Sequence, residues 1–183
     1  MRRAFCSLAV LALAVSAARA AEVDNPEFAQ WAKYKKGTSV TLKATTTVAG
    51  TTSESFTTTT LLDVTDTKLV IETVTVMKVA GMEFKTPFKR DVPKKVTVPD
   101  VKVDPKVKVP EVKTVTGTET LKVAGLELKT KWTATTIEAA GTTTEMKIWM
   151  SDDVPGTMVK SESTTKGAFA SSTKIELIEF KKP

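Results

Sequence analysis

The residue types that this chain lacks restrict its chemistry more than those it contains. It has no histidine, and its single cysteine, Cys6, lies within the first twenty residues. From residue 21 onward there is therefore neither the usual general base of neutral pH nor a thiolate nucleophile. Serine and cysteine triads and the usual zinc sites are excluded there, because each needs His or Cys. We expect no cofactor and no metal centre.

Two Ser-x-x-Lys strings, Ser163 to Lys166 and Ser171 to Lys174, have the spacing of the nucleophile motif of penicillin-binding enzymes. The partner motifs of those enzymes are missing, and the surrounding segment is rich in Ser, Thr and Lys, which favours coincidence. A hydrolase using two carboxylates would need a facing pair, and the sequence singles out none. We therefore predict a protein that is not an enzyme and has no catalytic residues.

Asp152 and Asp153 are candidate ligands for a cation, since carboxylate oxygens bind Ca²⁺. The alternating acidic spacing of an EF-hand is absent. Asp, Pro and Gly in Ser151 to Gly156 are also typical of a turn, for purely local reasons. Turn formation is the favoured interpretation.

The first twenty residues have the pattern of a secretory signal peptide. Arg2 and Arg3 precede an apolar run, and Ala18-Arg19-Ala20 supplies the small residues that precede cleavage, here before Ala21. The net charge then falls from +6 to +3, because Arg2, Arg3 and Arg19 are removed. We predict an exported protein, periplasmic or extracellular, whose residues 21–183 form one domain that does not span a membrane after cleavage.

Export and charge chemistry both argue against nucleic acid as a partner. Arg90 is the sole arginine after residue 20, and arginine provides the bidentate contacts to phosphates and guanine edges. The lysines alternate with Val or Thr, as the solvent face of a sheet requires.

One short helix is predicted close to residue 21. Asn25 is a suitable N-cap, Pro26 suits the first position, and lysines before Gly37 suit the C-terminal end. Phe28 and Trp31 fall on one face at helical spacing, which predicts docking on a sheet.

Period-two alternation dominates the remaining sequence and predicts antiparallel strands. Val-Ala-Gly or Ala-Ala-Gly strings predict hairpin turns, and all eight glycines are expected between strands or at the helix end. Residues 78–86 recur as 122–130, which fits two similar hairpins. The four prolines within residues 93–113 predict an extended, semi-rigid exposed connection, part of which can form an edge strand.

Three segments carry a resemblance to a known class. They are Trp31 to Gly37, Thr118 to Gly125 and Trp149 to Lys160. Together they resemble uncharacterised bacterial exported proteins similar to the lipoprotein-carrier (LolA/LolB-like) half-barrel fold. The resemblance implies a curved antiparallel sheet whose apolar concave face can hold acyl chains. It implies no functional residue, since the arginine of the carriers has no clear counterpart here.

The expected fold is therefore mainly all-β: an antiparallel meander of about nine strands, forming a curved sheet or half-barrel, with one short N-terminal helix. We expect a non-catalytic protein that binds an apolar ligand, lipid or lipoprotein in that sheet. The alternative is a structural or protein-interaction module of the cell envelope. No ligand-binding residue is assigned, but the first hypothesis expects an open cavity lined by Met77, Met82, Trp132, Met146, Ile148 and Met150.

Overall fold

The protein, described by a computed structural model over residues 21–79, 82–98, 111–139, 141–167 and 170–183, consists of eleven strands and one helix in these ranges. The elements in chain order are β1 (Ala21–Asp24), α1 (Pro26–Trp31), β2 (Ser39–Val48), β3 (Thr51–Val64), β4 (Lys68–Val79), β5 (Met82–Pro93), β6 (Lys95–Val98), β7 (Glu111–Val123), β8 (Leu126–Ala139), β9 (Thr142–Met150), β10 (Met158–Lys166) and β11 (Ser171–Lys181).

Nine of these strands form one open antiparallel sheet in the order β5-β4-β3-β2-β11-β10-β9-β8-β7. The prediction of about nine antiparallel strands and one short helix is confirmed. The single meander is replaced by two, because the strands run β2 to β5 along one arm and β7 to β11 along the other. The two arms join where β2 pairs with β11, from Val48 opposite Ser171 to Ser39 opposite Lys181.

The helix starts as predicted and ends sooner. The side chain of Asn25 accepts a hydrogen bond from the Glu27 amide at 3.0 Å, and Pro26 occupies the first turn. The helix stops at Trp31 rather than near Gly37. The reason is competition from the sheet, since the Gly37 amide donates to the Leu61 carbonyl of β3 at 2.8 Å.

The core lies at one end of the sheet. Residues that face each other in neighbouring strands share a face, so the pairing register assigns each side chain to one of two faces. We call helix face the one that carries Val40, Leu61, Ile71 and Leu177, which pack with α1, and reverse face the other. The core end is the half of the sheet near these residues, and the open end is the half that contains the β4–β5 turn.

The buried cluster at the core end combines one side of α1 with apolar side chains from both arms. Phe28 and Trp31 of α1 are buried there, as their spacing predicted. Three bulges interrupt the strand pairing of β3, β10 and β11 near this cluster. Bulges bend strands and increase their twist. The full cluster is Phe28, Trp31, Val40, Leu61, Leu69, Ile71, Val92, Leu128, Val154, Val159 and Leu177.

The Ala-Gly turns have the backbone that tight hairpins need. Ala49 and Gly50 have φ of 48° and 82°, and Ala124 and Gly125 have φ of 50° and 73°. Positive φ at both central residues is the type I′ pattern. Gly81 and Ala140, in the other two predicted turns, lie outside the described residues.

Gly117 contradicts the expectation that every glycine separates two strands. It lies inside β7, directly opposite Trp132 of β8. A Cβ atom at Gly117 would come within 2.4 Å of the Trp132 ring. The glycine is there because the indole lies against the backbone, which leaves no room for a side chain.

Both ends of the proline-containing segment are described as strands. Residues Lys95–Val98 form β6, which pairs with β1 from Ala21 opposite Val98 to Asp24 opposite Lys95. Residues 111–113 belong to β7. The remaining part, residues 99–110, lies outside the described residues.

Candidate functional site

The helix face changes character between the two ends of the sheet. At the core end Val40, Leu61, Ile71 and Leu177 of this face are buried and pack with α1, whereas at the open end no described element covers it. There it carries hydroxyl side chains that hydrogen-bond in pairs across neighbouring strands. The helix-face pairs are Thr46 with Thr173 at 3.2 Å, Thr57 with Thr75 at 3.4 Å, Thr59 with Thr73 at 3.3 Å and Thr144 with Thr165 at 3.3 Å.

These hydroxyl pairs lower the desolvation free energy that is required to cover the open end. An unpaired hydroxyl costs free energy when it is removed from water, whereas a hydroxyl with a partner keeps one hydrogen bond. Each threonine also presents a methyl group. The surface can therefore be covered by an apolar molecule at a lower desolvation cost than its threonine content suggests.

Four large apolar side chains stand next to these threonines on β4 and β5. Met77 lies opposite Phe84, and Thr73 lies opposite Phe88. Met82, Phe84 and Phe88 alternate along β5, so all three share the helix face with Met77. We call Met77, Met82, Phe84 and Phe88 the apolar edge patch; their exposed fractions are 45%, 59%, 49% and 60%.

Arg90 marks the boundary between the apolar edge patch and the core end. It follows Phe88 on the helix face of β5, and its guanidinium donates to both carboxylate oxygens of Glu27 in α1. This bidentate ion pair fixes the helix to the edge strand. The guanidinium of Arg90 is thereby engaged within the protein.

The predicted cavity lining is only partly brought together. Met77 and Met82 meet within the apolar edge patch, but Met146, Ile148 and Met150 lie on β9, in the other arm. Trp132 lies on the reverse face, opposite Trp149. Phe84 and Phe88 were missed, although their alternation with Met82 in the sequence is a signal that could have identified them.

The reverse face contains an aromatic and charged cluster at β7 to β10. The Lys147 ammonium lies 4.2 Å from the Trp132 ring centroid and 4.5 Å from that of Trp149. The Trp149 indole N–H donates to Glu119, which also pairs with Lys147 at 3.3 Å. The hydrogen bond from Trp149, supported by Lys147 and Lys160, holds the pKa of Glu119 below its usual value. We infer that this cluster holds four strands in register.

Asp152 and Asp153 line two open clefts at the core end. One of 690 Å³ lies beside Thr118 to Thr120, and one of 590 Å³ is lined by Tyr34 and Phe180 among others. Burial raises the pKa of Tyr34, and Asp153 and Asp152 add to that rise. The Ser151 amide donates to the Thr157 carbonyl at 2.8 Å, and Gly156 has φ of 75°, so the segment forms a turn.

Neither Ser-x-x-Lys string brings its serine and lysine together. Both strings lie on strands, where residues three apart point to opposite faces. Lys166 pairs with Glu145 and Lys174 pairs with Glu176, in ion pairs of 2.9 Å and 2.8 Å. The penicillin-binding motif needs both side chains on one side, so these strings are coincidental.

Within the described ranges, no three His, Cys, Asp or Glu side chains are grouped so that they could hold a metal ion. In the same ranges, no helix has the length and hydropathy required to cross a membrane.

No protein-family model and no curated protein matches this chain. Two solved structures are similar to it. One is a candidate lipoprotein from Parabacteroides distasonis ATCC 8503, with a TM-score of 0.43 and 14% identity, covering 80% of this chain and 96% of the other. The second is a candidate exported protein with YmcC-like fold from Bacteroides fragilis NCTC 9343, with a TM-score of 0.42 and 10% identity, covering 81% and 97%.

Similarity at these values carries no assignment of function. The resemblance to the lipoprotein carriers stays a prediction.

Proposed function

We propose that this chain is an exported, non-catalytic protein that binds the acyl chains of a lipid or lipoprotein on the open end of its helix face. The main support for this proposal is the exposure of the apolar edge patch. Its four large side chains are about half exposed. Exposed apolar side chains gathered on one face are typical of a binding surface.

The free energy available from this patch suits a reversible ligand. Burying one large apolar side chain completely contributes about 1.5–3 kcal/mol. Covering the exposed half of each patch residue would thus contribute on the order of 1 kcal/mol per side chain. The neighbouring hydroxyl pairs extend the surface without adding unpaired polar groups.

The chemistry of the patch favours an acyl chain over a polar ligand. Met77 and Met82 have flexible, polarizable side chains that adapt to irregular apolar shapes. Phe84 and Phe88 add two aromatic rings spaced four residues apart on the same strand. The charged residues Glu83, Lys85 and Lys89 alternate with them on the reverse face, so the patch itself carries no charge.

Two experiments test this function. The first is native mass spectrometry with lipid extraction on protein purified from its own host, where we expect a stoichiometric lipid. The second measures palmitate binding to Phe84→Asn and Phe88→Asn, where we expect an affinity loss of about tenfold, since about 1.4 kcal/mol corresponds to that factor.

Val115→Asn is the matched control for the second experiment. Val115 is 61% exposed, lies on the other edge strand β7 and shares the reverse face with Trp132. We expect palmitate affinity within about twofold of the unmodified protein in this variant. Protein that is consistently empty, or equal losses in the Phe84 and Val115 variants, would show that the open end is not a lipid site.

A further inference from the structure

The two edges of the main sheet are protected to different degrees. β5 carries Pro87 at its centre, and proline removes a backbone donor from an edge. It also carries Arg90 and several other charged side chains. β7 has no proline over Glu111–Val123, and its charges between Val112 and Leu121 are Lys113 and Glu119. Natural proteins protect exposed edges with proline and charge, so β7 is the edge with the weaker protection.

β7 is an edge strand of the main sheet as far as the structure describes the chain. It pairs with β8 from Glu111 to Val123, and among the described residues no strand lies on its outer side. The side chains from Val112 to Thr116 and from Thr118 to Thr120 are exposed. Alternate N–H and C=O groups of a sheet edge point outward, which makes the edge a template for a further strand.

We propose that the outer edge of β7 pairs antiparallel with β7 of a second copy of this chain. A two-fold axis perpendicular to the sheet makes such a contact self-complementary, because each copy presents the same strand. It also keeps the faces continuous, so that residues of one face oppose residues of the same face. When the two-fold axis moves by one residue along β7, the residue that lies opposite any given position therefore changes by two.

Charge selects one register. With Thr116 on the two-fold axis, Lys113 of each copy opposes Glu119 of the other, on the reverse face. Oppositely charged residues directly across strands stabilise a pair, and like charges destabilise it. Moving the axis to Val115 places Lys113 opposite Gly117, and moving it to Gly117 places Lys113 opposite Leu121, so neither register pairs Lys113 with Glu119.

The helix face agrees with the same register. Thr116 opposes itself across the axis, and Thr114 opposes Thr118 of the second copy. Threonines facing each other across strands hydrogen-bond, as Thr57 and Thr75 do within this sheet. The dimer would therefore continue the hydroxyl pairs of the open end across the interface. Growth stops at two copies, because the remaining outer edges are the β5 strands with Pro87.

Disulfide trapping tests both the interface and the register. All variants carry Cys6→Ser, so that each introduced cysteine is the sole thiol of the chain. Opposed residues of antiparallel strands have Cα atoms about 4.5–5.5 Å apart, within disulfide range. We expect Thr116→Cys to form a covalent dimer under mild oxidation about tenfold more than Thr86→Cys on β5, given that geometry.

The register is tested with two further cysteine variants. Thr114→Cys and Thr118→Cys should form little disulfide alone and a covalent dimer when mixed, since each opposes the other in the proposed pairing. If Thr116→Cys reacts no more than Thr86→Cys, the β7 interface is wrong. If the mixture reacts no more than its components, the register is wrong.

Light scattering during size exclusion supplies a measurement without cysteines. We expect twice the monomer mass at the highest concentrations and dissociation on dilution. Lys113→Glu should shift this equilibrium towards monomer, because it places two carboxylates at each Glu119 contact. Lys122→Glu, near the end of the same strand, is the control and should remain dimeric. A monomer at every concentration would overturn the proposal.

Discussion

Two hairpins of almost identical sequence have opposite surroundings in this protein. Residues 78–86 and 122–130 differ only where Met82 and Phe84 are replaced by Leu126 and Leu128. Both hairpins pair with the same register around the turn. Phe84 is 49% exposed, whereas Leu128 is 6% exposed and belongs to the core cluster. The local sequence thus determines the hairpin, and its position in the sheet determines what it buries.

The difference in burial arises from where the two hairpins lie in the sheet. The β4–β5 turn lies at the open end of one sheet edge, and the β7–β8 turn lies at the core end of the other. The equivalence continues further along the strands, since Thr73 opposite Phe88 corresponds to Gly117 opposite Trp132. Phe88 is exposed, while Trp132 lies against the glycine. One hairpin has become part of the framework and the other presents a free apolar surface.

The largest effect is expected from truncating equivalent positions of the two hairpins. Leu128→Ala should lower the free energy of unfolding by about 2–4 kcal/mol, because it opens a cavity in the core. Phe84→Ala should change it by less than about 0.5 kcal/mol, as for a surface position. Urea unfolding followed by circular dichroism measures both. Equal losses would mean that the two hairpins are packed alike.

An intermediate effect is expected from filling the space under Trp132. Gly117→Ala should cost about 1–3 kcal/mol, since the new methyl group forces the indole away from the backbone. Tryptophan fluorescence should shift to longer wavelength as the ring becomes more exposed. Gly125→Ala at the turn is the comparison: no atom lies within 4 Å of its added Cβ, so its cost comes from positive φ and the spectrum should not shift.

The smallest effect is expected from acid, through Glu119. The pKa of this carboxyl is lowered in the folded state, chiefly by the hydrogen bond from Trp149. Its contribution to stability is therefore complete above the usual glutamate pKa and is lost as pH falls through the lowered value. The urea midpoints of the unmodified protein and Glu119→Gln should differ at pH 7 and converge at acid pH. A difference independent of pH would show that the charge of Glu119 contributes nothing.

The sequence predicted the local elements well. The Asn25 cap, the antiparallel strands and the Ala-Gly turns at residues 49–50 and 124–125 depend on short-range backbone chemistry, and the structure contains them. The helix end and Gly117 were predicted wrongly because each is determined by a distant residue. The Leu61 carbonyl accepts a hydrogen bond from the Gly37 amide, and the Trp132 ring leaves no room for a side chain at position 117.

The candidate site was predicted only in part for the same reason. Alternation shows which residues share a face, so Met77 and Met82 could be placed together. It does not show at which end of the sheet each hairpin lies, and so the exposed Phe84 and Phe88 could not be separated from the partly buried Leu126 and the buried Leu128. The order of the strands could not be predicted from the sequence either, because the β2–β11 pairing brings Thr46 next to Thr173, 127 residues later in the chain.

That central pairing imposes a sequence of events on folding. Each arm is built from hairpins between neighbouring segments, which close quickly because the loops are short. The two arms can only be joined once β11 has been synthesised, and this long-range closure is the slow step that contact order predicts. Until then β2 has an unpaired side, and the core shared by the two arms is incomplete. A chain arranged in this way stays incompletely folded until nearly all of it has emerged.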